Sequence, residues 1–133
     1  MLADKAVVSR LTYMDQDILN LILLGKVKFI DAKYNTQFSL NYELKKSFVC
    51  PINDETVLIH YVGPTKPWHY WAGYPSAQPF IKAKEASPWK NEPLMRPVNS
   101  NYARYCAKHN FKQNKPINGI MNYIYYFYLK IIK

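Results

Sequence analysis

The sequence predicts an α/β chain with a mainly helical C-terminal extension. Three patterns carry that expectation: an amphipathic run over 12–24, an apolar β-branched run over 56–62, and helix-period patterns beyond residue 100. A chain of 133 residues is long enough for one small domain with its own core.

The first helix is expected over Thr12–Leu24. Asp15 and Asp17 fall in its first turn, where negative charge suits the helix dipole. Ile18, Leu19, Ile22 and Leu23 recur at helical spacing, and Gly25 sits where such a helix would stop. Val27–Ile30 then reads as a short strand, followed by a turn over Asp31–Asn35. Residues 36–55 are polar and irregular, with Pro51, Asn53 and Asp54 marking a loop. Thr56–Val62 is the clearest strand, and its near-continuous apolarity predicts a buried central position.

Beyond Pro64 the composition changes. Pro64, Pro67, Pro75, Pro79 and Pro88 stand beside Trp68, Trp71 and Trp89, which predicts a packed connector. Helices follow over about 100–110 and from Pro116 or Asn118 to Ile132. The domain boundary is expected between residues 74 and 75, with the first helix and the strand patterns in 1–74 and a basic, aromatic extension over 75–133.

Charge divides the chain in the same sense. The net charge is +9, and all of the excess lies after residue 65. The first 65 residues balance seven Lys/Arg against seven acids; the rest carry eleven Lys/Arg and only Glu85 and Glu92. Such asymmetry points to an anionic partner: a phosphorylated substrate, an anionic lipid surface or nucleic acid. A solvated basic face is the alternative. No nucleic-acid reader motif is present and the first half is neutral, so nucleic acid is not expected as a partner. Cys50 and Cys106 lack metal-site spacing and read as buried thiols in a reducing compartment. No secretory leader is read at the N-terminus, and no run reaches the roughly 20 apolar residues of a membrane span.

The stretch with chemistry is His60-Tyr61-Val62-Gly63-Pro64-Thr65-Lys66-Pro67-Trp68. A strand-end imidazole can ligate a divalent metal. A glycine lets backbone approach a bulky anion, and a lysine three residues on can reach the same anion. Together they suit a metal-bridged diphosphate. For His60 alone a hydrogen-bonded core role stays open, and for Lys66 alone a solvated charge.

H-x-x-G-x-x-K-P-W resembles the closing motif of glycosyltransferase family 8, the retaining nucleotide-sugar transferases that include bacterial lipopolysaccharide galactosyl- and glucosyltransferases. Asp15-Gln16-Asp17-Ile18-Leu19-Asn20 resembles the family's D-Q-D-x-L-N motif, and Tyr34-Asn35 its Y-N pair. The three occur in family order. The resemblance implies the C-terminal part of a nucleotide-sugar transferase, a mixed-sheet remnant plus helices.

By that resemblance His60 is a ligand of catalytic Mn²⁺ (or Mg²⁺), and Gly63 and Lys66 bind the donor diphosphate. Asp15 and Tyr34 meet the acceptor or the transferred sugar. Gln16 lies near the anomeric carbon in a positioning role, since an amide is a weak nucleophile. Asp17 is either functional or a first-turn dipole partner. The implied partners are a UDP-glucose or UDP-galactose donor and a lipopolysaccharide core acceptor. The family's D-x-D metal motif has no counterpart upstream of residue 15. The chain is therefore expected to be a truncated form that lacks the donor-binding half, with an incomplete metal site and apolar surface left uncovered. The alternative is a non-catalytic module that binds membrane or lipopolysaccharide.

Besides a C-terminal helix packed on the domain with its lysines in water, the basic, tyrosine-rich end suggests an interfacial helix on an anionic membrane surface. Lys112, Lys115, Tyr125, Tyr126, Lys130 and Lys133 are its candidate contacts. The implied location is cytoplasmic, peripheral to the inner membrane of a Gram-negative bacterium.

Overall fold

The computed structural model describes residues 12–132, which form two compact units divided between Asp31 and Ala32. In the first unit, helix α1 spans Met14–Ile22. Asp17 closes its start: one carboxylate oxygen accepts the backbone N–H groups of Thr12 and Tyr13, each at 2.9 Å. That satisfies donors at the helix end and gives Asp17 a structural task. Gly25 follows the helix at φ +75°, and the N–H of Lys26 donates back to the Leu23 carbonyl at 2.8 Å. The strand expected over Val27–Ile30 is not formed. An extended segment becomes a strand only by pairing, and 27–30 has no ladder partner among the described residues. Phe29 is 93% exposed, and Leu19, Ile22 and Leu24 are exposed as well.

The second unit begins with a 3₁₀ turn, Ala32–Asn35, and strand β1, Thr36–Phe38. Strand β2, Ile59–Tyr61, runs parallel to β1 with His60 opposite Gln37 and Tyr61 opposite Phe38. The expected strand is thus shorter than 56–62, and it is not a buried central one: Val57 and Leu58 are exposed. The described sheet has only two strands, so no neighbour covers that apolar run. The supposed loop over 36–55 holds β1 and a second 3₁₀ turn, Leu40–Leu44.

Phe38, Leu40, Ala72, Tyr74 and Ala77 form the core, with Ile52 and Tyr61 packed on it. Burying residues such as Phe38 and Leu40 contributes about 1.5–3 kcal/mol each. The proline-rich connector is packed, as expected: Trp71 is fully buried. It also contains a helix, α2, Gln78–Glu85. Pro79 lies in the first turn of α2, where a missing N–H costs nothing, so a proline counted only as part of the connector helps to start a helix.

Helix α3, Ser100–Lys112, is capped by Asn99, whose side chain accepts the Tyr102 N–H at 2.8 Å. Asn114 turns the chain in the left-handed region, φ 57°. Helix α4, Pro116–Ile131, then packs on α3. Their approach is close at Gly119, where an added Cβ would lie 2.6 Å from the Phe111 ring. Cys106 is buried in α3 as expected, whereas Cys50 is exposed; both are free thiols. Among the described residues no helix is long and apolar enough to cross a membrane. The fold is a small mixed α/β assembly with a helical C-terminal end.

Candidate functional site

The two-residue alternation of β2 decides how the site is built. Tyr61 points to the core, and its hydroxyl donates to the Ser76 carbonyl at 2.7 Å. Burial, and second the neighbouring Cys50, push its phenol up to about 12. His60, one residue earlier, falls on the opposite, exposed face. Its Nδ1 lies 3.1 Å from Asn35 Oδ1. An amide oxygen only accepts, so Nδ1 carries a proton, and in the neutral imidazole Nε2 keeps its lone pair. Asn35 therefore sets the imidazole as an outer-shell partner would set a ligand.

His60 and Lys66 line one open cleft of about 770 Å³. Asn35, Tyr61, Trp68 and Phe80 also line it. The Trp68 and Phe80 rings lie 5.9 Å apart and form an aromatic wall suited to a sugar or base face. The Lys66 ammonium donates to the Tyr61 carbonyl at 2.6 Å. An ammonium has three donors, so this bond fixes the head and leaves the others for an anion.

Two buried histidines hold the Lys66 segment. The Lys66 N–H donates to His69 Nδ1 at 3.1 Å. His69 is buried and stacked on Trp71 at 4.2 Å. Burial, then the Lys66 charge, lower its pKa to about 4, so it is neutral. His109 in α3 is fully buried and touches Thr65, Asn41 and Tyr74. Nε2–H is directed at Asn41 Oδ1 and Thr65 Oγ1, both at 3.1 Å, and Nδ1 accepts the Tyr74 hydroxyl at 2.8 Å. Its pKa is also lowered to about 4, mainly by burial, with His69 and Lys108 adding to the shift.

The other expected site residues lie elsewhere. Gly63 is not among the cleft-lining residues. It sits in a turn at φ +83°, where an added Cβ would meet Ser39 Oγ at 2.8 Å. Tyr34 is exposed on the 3₁₀ turn, with the Lys33 ammonium 5.6 Å from its ring centre. Asp15 and Gln16 are exposed on α1, in the first unit. Lys112 donates to the Lys45 carbonyl at 3.0 Å and Lys115 to Gln113 at 3.2 Å. Lys130 is exposed, and Tyr126 is half-buried against Phe127. Lys133 lies outside the described residues. Asn35, Trp68 and Phe80 had not been singled out as site residues. Asn35 and Trp68 stood in the sequence as the N of Y-N and the W of K-P-W; Phe80 lies on the unforeseen α2.

Among the described residues no cluster of three His, Cys, Asp or Glu side chains could hold a metal ion. His60 offers one imidazole, whereas Mn²⁺ takes several oxygen ligands. The described residues alone do not form a complete metal centre.

Comparison with known proteins bears on the same segments. Residues 1–72 match the family model Glycosyl transferase family 8, and residues 74–130 match Glycosyl transferase family 8 C-terminal. The chain is 53% identical over 132 residues to lipopolysaccharide glucosyltransferase WaaO of Escherichia coli K12, covering 98% of this chain and 39% of that protein. It is also 53% identical over 133 residues to lipopolysaccharide 1,3-galactosyltransferase of Salmonella typhimurium, covering 100% of this chain and 40% of the relative. A lipopolysaccharide 1,2-glucosyltransferase of Escherichia coli is 38% identical over 134 residues, covering 98% of this chain and 40% of the relative. No solved structure is a significant match. The class is that of the glycosyltransferases. The chain belongs to glycosyl transferase family 8, and it spans about 40% of the length of these curated relatives.

Proposed function

We propose that this chain serves a retaining hexosyltransferase that moves glucose or galactose from a UDP donor to lipopolysaccharide core. The observation that carries the reading is the single cleft lined by His60 and Lys66, with the imidazole fixed by Asn35 and the ammonium fixed by the Tyr61 carbonyl. As the glycosidic bond breaks, the departing diphosphate gains negative charge, and a preset ammonium stabilises that charge without reorganising. Trp68 and Phe80 offer a face for the donor's sugar or base. Gly63 enters as the turn that lets the segment reach Lys66. Asp15 and Tyr34 would bond the acceptor or the transferred sugar. Gln16 would sit near the anomeric carbon, whose oxocarbenium-like character favours a polar neighbour.

A divalent cation, Mn²⁺ or Mg²⁺, would neutralise diphosphate charge when bound. His60 Nε2 is the ligand this chain offers it. The names of the relatives support the lipopolysaccharide acceptor and the choice between glucose and galactose.

Titration of the chain with UDP by calorimetry, with and without Mn²⁺, tests the donor reading. The expected result is binding that weakens roughly tenfold in Lys66→Ala, the size of one lost charge-assisted hydrogen bond. UDP binding that ignores both Lys66→Ala and His60→Ala would sink it.

The second reading, attachment to an anionic membrane surface, is favoured by α4. Ile117, Ile120, Met121, Ile124, Phe127, Tyr128 and Ile131 recur at intervals of three and four residues, and all are exposed. Lys112, Lys115 and Lys130 flank that stripe. This would place the protein at the cytoplasmic side of an inner membrane, beside an acceptor embedded in it.

A further inference from the structure

A second concavity, of about 840 Å³, lies between segment 93–97 and α4. Its lining includes Tyr70, Leu94, Arg96, Asn118, Asn122 and Tyr125. We propose that this groove binds a phosphate-bearing saccharide, at a site separate from the His60–Lys66 cleft. The expected source is the acceptor glycan, and for that source the proposal rests on the acceptor reading above.

The wall is built to hold its shape. Met95 pairs with His69 in an isolated parallel bridge. The Met95 N–H donates to the Trp68 carbonyl at 2.8 Å, and the Tyr70 N–H donates to the Met95 carbonyl at 3.1 Å. Pro93 and Pro97 stiffen both ends of the segment. The same 68–70 stretch thus backs both concavities: Trp68 lines the cleft and Tyr70 lines the groove.

The floor is polar and ordered. Asn122 Nδ2 donates to the Tyr70 hydroxyl at 3.3 Å and to the Asn118 carbonyl at 2.8 Å. The Tyr70 hydroxyl also lies 3.0 Å from Cys106 Sγ in α3. These bonds use the amide nitrogen of Asn122 and leave its oxygen as an acceptor for a sugar hydroxyl. Around this floor stand polar groups with no partner among the described residues: the Arg96 guanidinium, the Asn118 side-chain amide and the Tyr125 hydroxyl. Among the described residues no acidic one lines the groove.

That composition selects the ligand class. A forked guanidinium matches phosphate oxygens in two places at once. Side-chain amides and tyrosine hydroxyls match sugar hydroxyls, while tyrosine faces, Leu94 and Met121 match the C–H faces of a pyranose ring. A polynucleotide would call for a run of cations, and here one cation lines the groove.

The test is binding to the full chain, followed by calorimetry, of a deacylated, phosphorylated lipopolysaccharide core oligosaccharide and of the same oligosaccharide after phosphate removal. Inorganic phosphate and phosphatidylglycerol vesicles are run beside them, and UDP is titrated into every sample. Among the described residues Arg96 and the Asn118 side chain hold no hydrogen bond, so Arg96→Ala and Asn118→Ala should leave melting unchanged. The expected result is that the phosphorylated oligosaccharide binds, weakens roughly tenfold in Arg96→Ala, weakens less in Arg96→Lys, and loses the Arg96 dependence once dephosphorylated. UDP binding should not change in any of these variants. The groove proposal is overturned if the oligosaccharide fails to bind, or binds without regard to Arg96 and Asn118. It is overturned equally if inorganic phosphate or vesicles reproduce the Arg96-dependent signal at the same concentration. Loss of UDP binding alone, with the oligosaccharide still dependent on Arg96, counts against the donor cleft and for the groove.

Discussion

Thr65 Oγ1 lies 3.1 Å from His109 Nε2, so the residue before Lys66 is tied to the interior of α3. The same imidazole holds Asn41 and Tyr74. One buried ring therefore joins the 3₁₀ turn after β1, the start of K-P-W and the C-terminal helices. Replacing it orphans several buried groups, each costing about 1–3 kcal/mol. His109→Ala should lower the melting temperature by several degrees or prevent folding, while Lys108→Ala, at an exposed neighbour, should not. Equal melting of the two variants would show that the network carries no stability.

The pH dependence follows from the same ring and from His69. Both have folded pKa values of about 4, against the ordinary 6.5. Above pH 6.5 both folded and unfolded chains hold them neutral. As the pH falls from 6.5 toward 4 the unfolded chain takes up protons that the folded chain refuses, so stability drops through that window. Below about 4 the loss from these groups is complete. Urea midpoints measured between pH 7.5 and 4.5 should fall steadily, with a shallower slope in His69→Gln. A flat profile would contradict the buried neutral state.

Gly63 combines φ +83° with a position where an added Cβ would lie 2.8 Å from Ser39 Oγ. Alanine there meets both a left-handed backbone and a blocked Cβ site. Gly63→Ala should destabilise by about 1–3 kcal/mol, read from denaturant midpoints. Trimming Ser39 as well, in Gly63→Ala/Ser39→Gly, should recover part of that loss and leave the backbone strain.

The sequence made some of this legible and hid the rest for physical reasons. Helices α1, α3 and α4 were readable because their apolar spacing and end signals, Gly25 and Pro116 among them, are local. The co-location of His60 and Lys66 was readable because six residues of chain and a turn-forming glycine keep them close. β1 was hidden: Thr36–Phe38 has no strand signature of its own and exists through pairing with residues 59–61. α2 was hidden behind Pro79, whose meaning depends on whether it stands first or later in a helix. Val27–Ile30 and Thr56–Leu58 look like strands in isolation, yet no ladder forms there without a neighbour. The histidine anchors His69 and His109 were invisible because burial and long-range partners define them.

Asn35 is the residue whose role the structure adds to the His60–Lys66 cleft. With its oxygen 3.1 Å from His60 Nδ1, it holds the proton on that nitrogen. In Asn35→Ala that preference goes. Long-range ¹H–¹⁵N spectra of the imidazoles should show His60 with Nδ1 protonated in the wild type and a shift toward Nε2–H in the variant. The fold should be unchanged, since Asn35 is exposed. Unaltered His60 signals would mean that the bond does not persist in solution.

The sharpest prediction about α4 separates its faces. Ile117, Ile120, Ile124 and Ile131 lie on the outward stripe, whereas Tyr123 and Gly119 meet Phe111 of α3. Tyr126 falls seven residues after Gly119 and three after Tyr123, on the α3 side of the helix. If α4 rests on an anionic bilayer, the aliphatic stripe carries the apolar part of the affinity and Tyr126 carries little. Ile124→Asp should abolish cosedimentation with phosphatidylglycerol vesicles, Lys112→Ala/Lys115→Ala should weaken it most at low salt, and Tyr126→Ser should leave it nearly intact. Retention of Ile124→Asp on the vesicles, together with loss of Tyr126→Ser, would reverse the assignment of faces and remove the support that the stripe gives to membrane attachment.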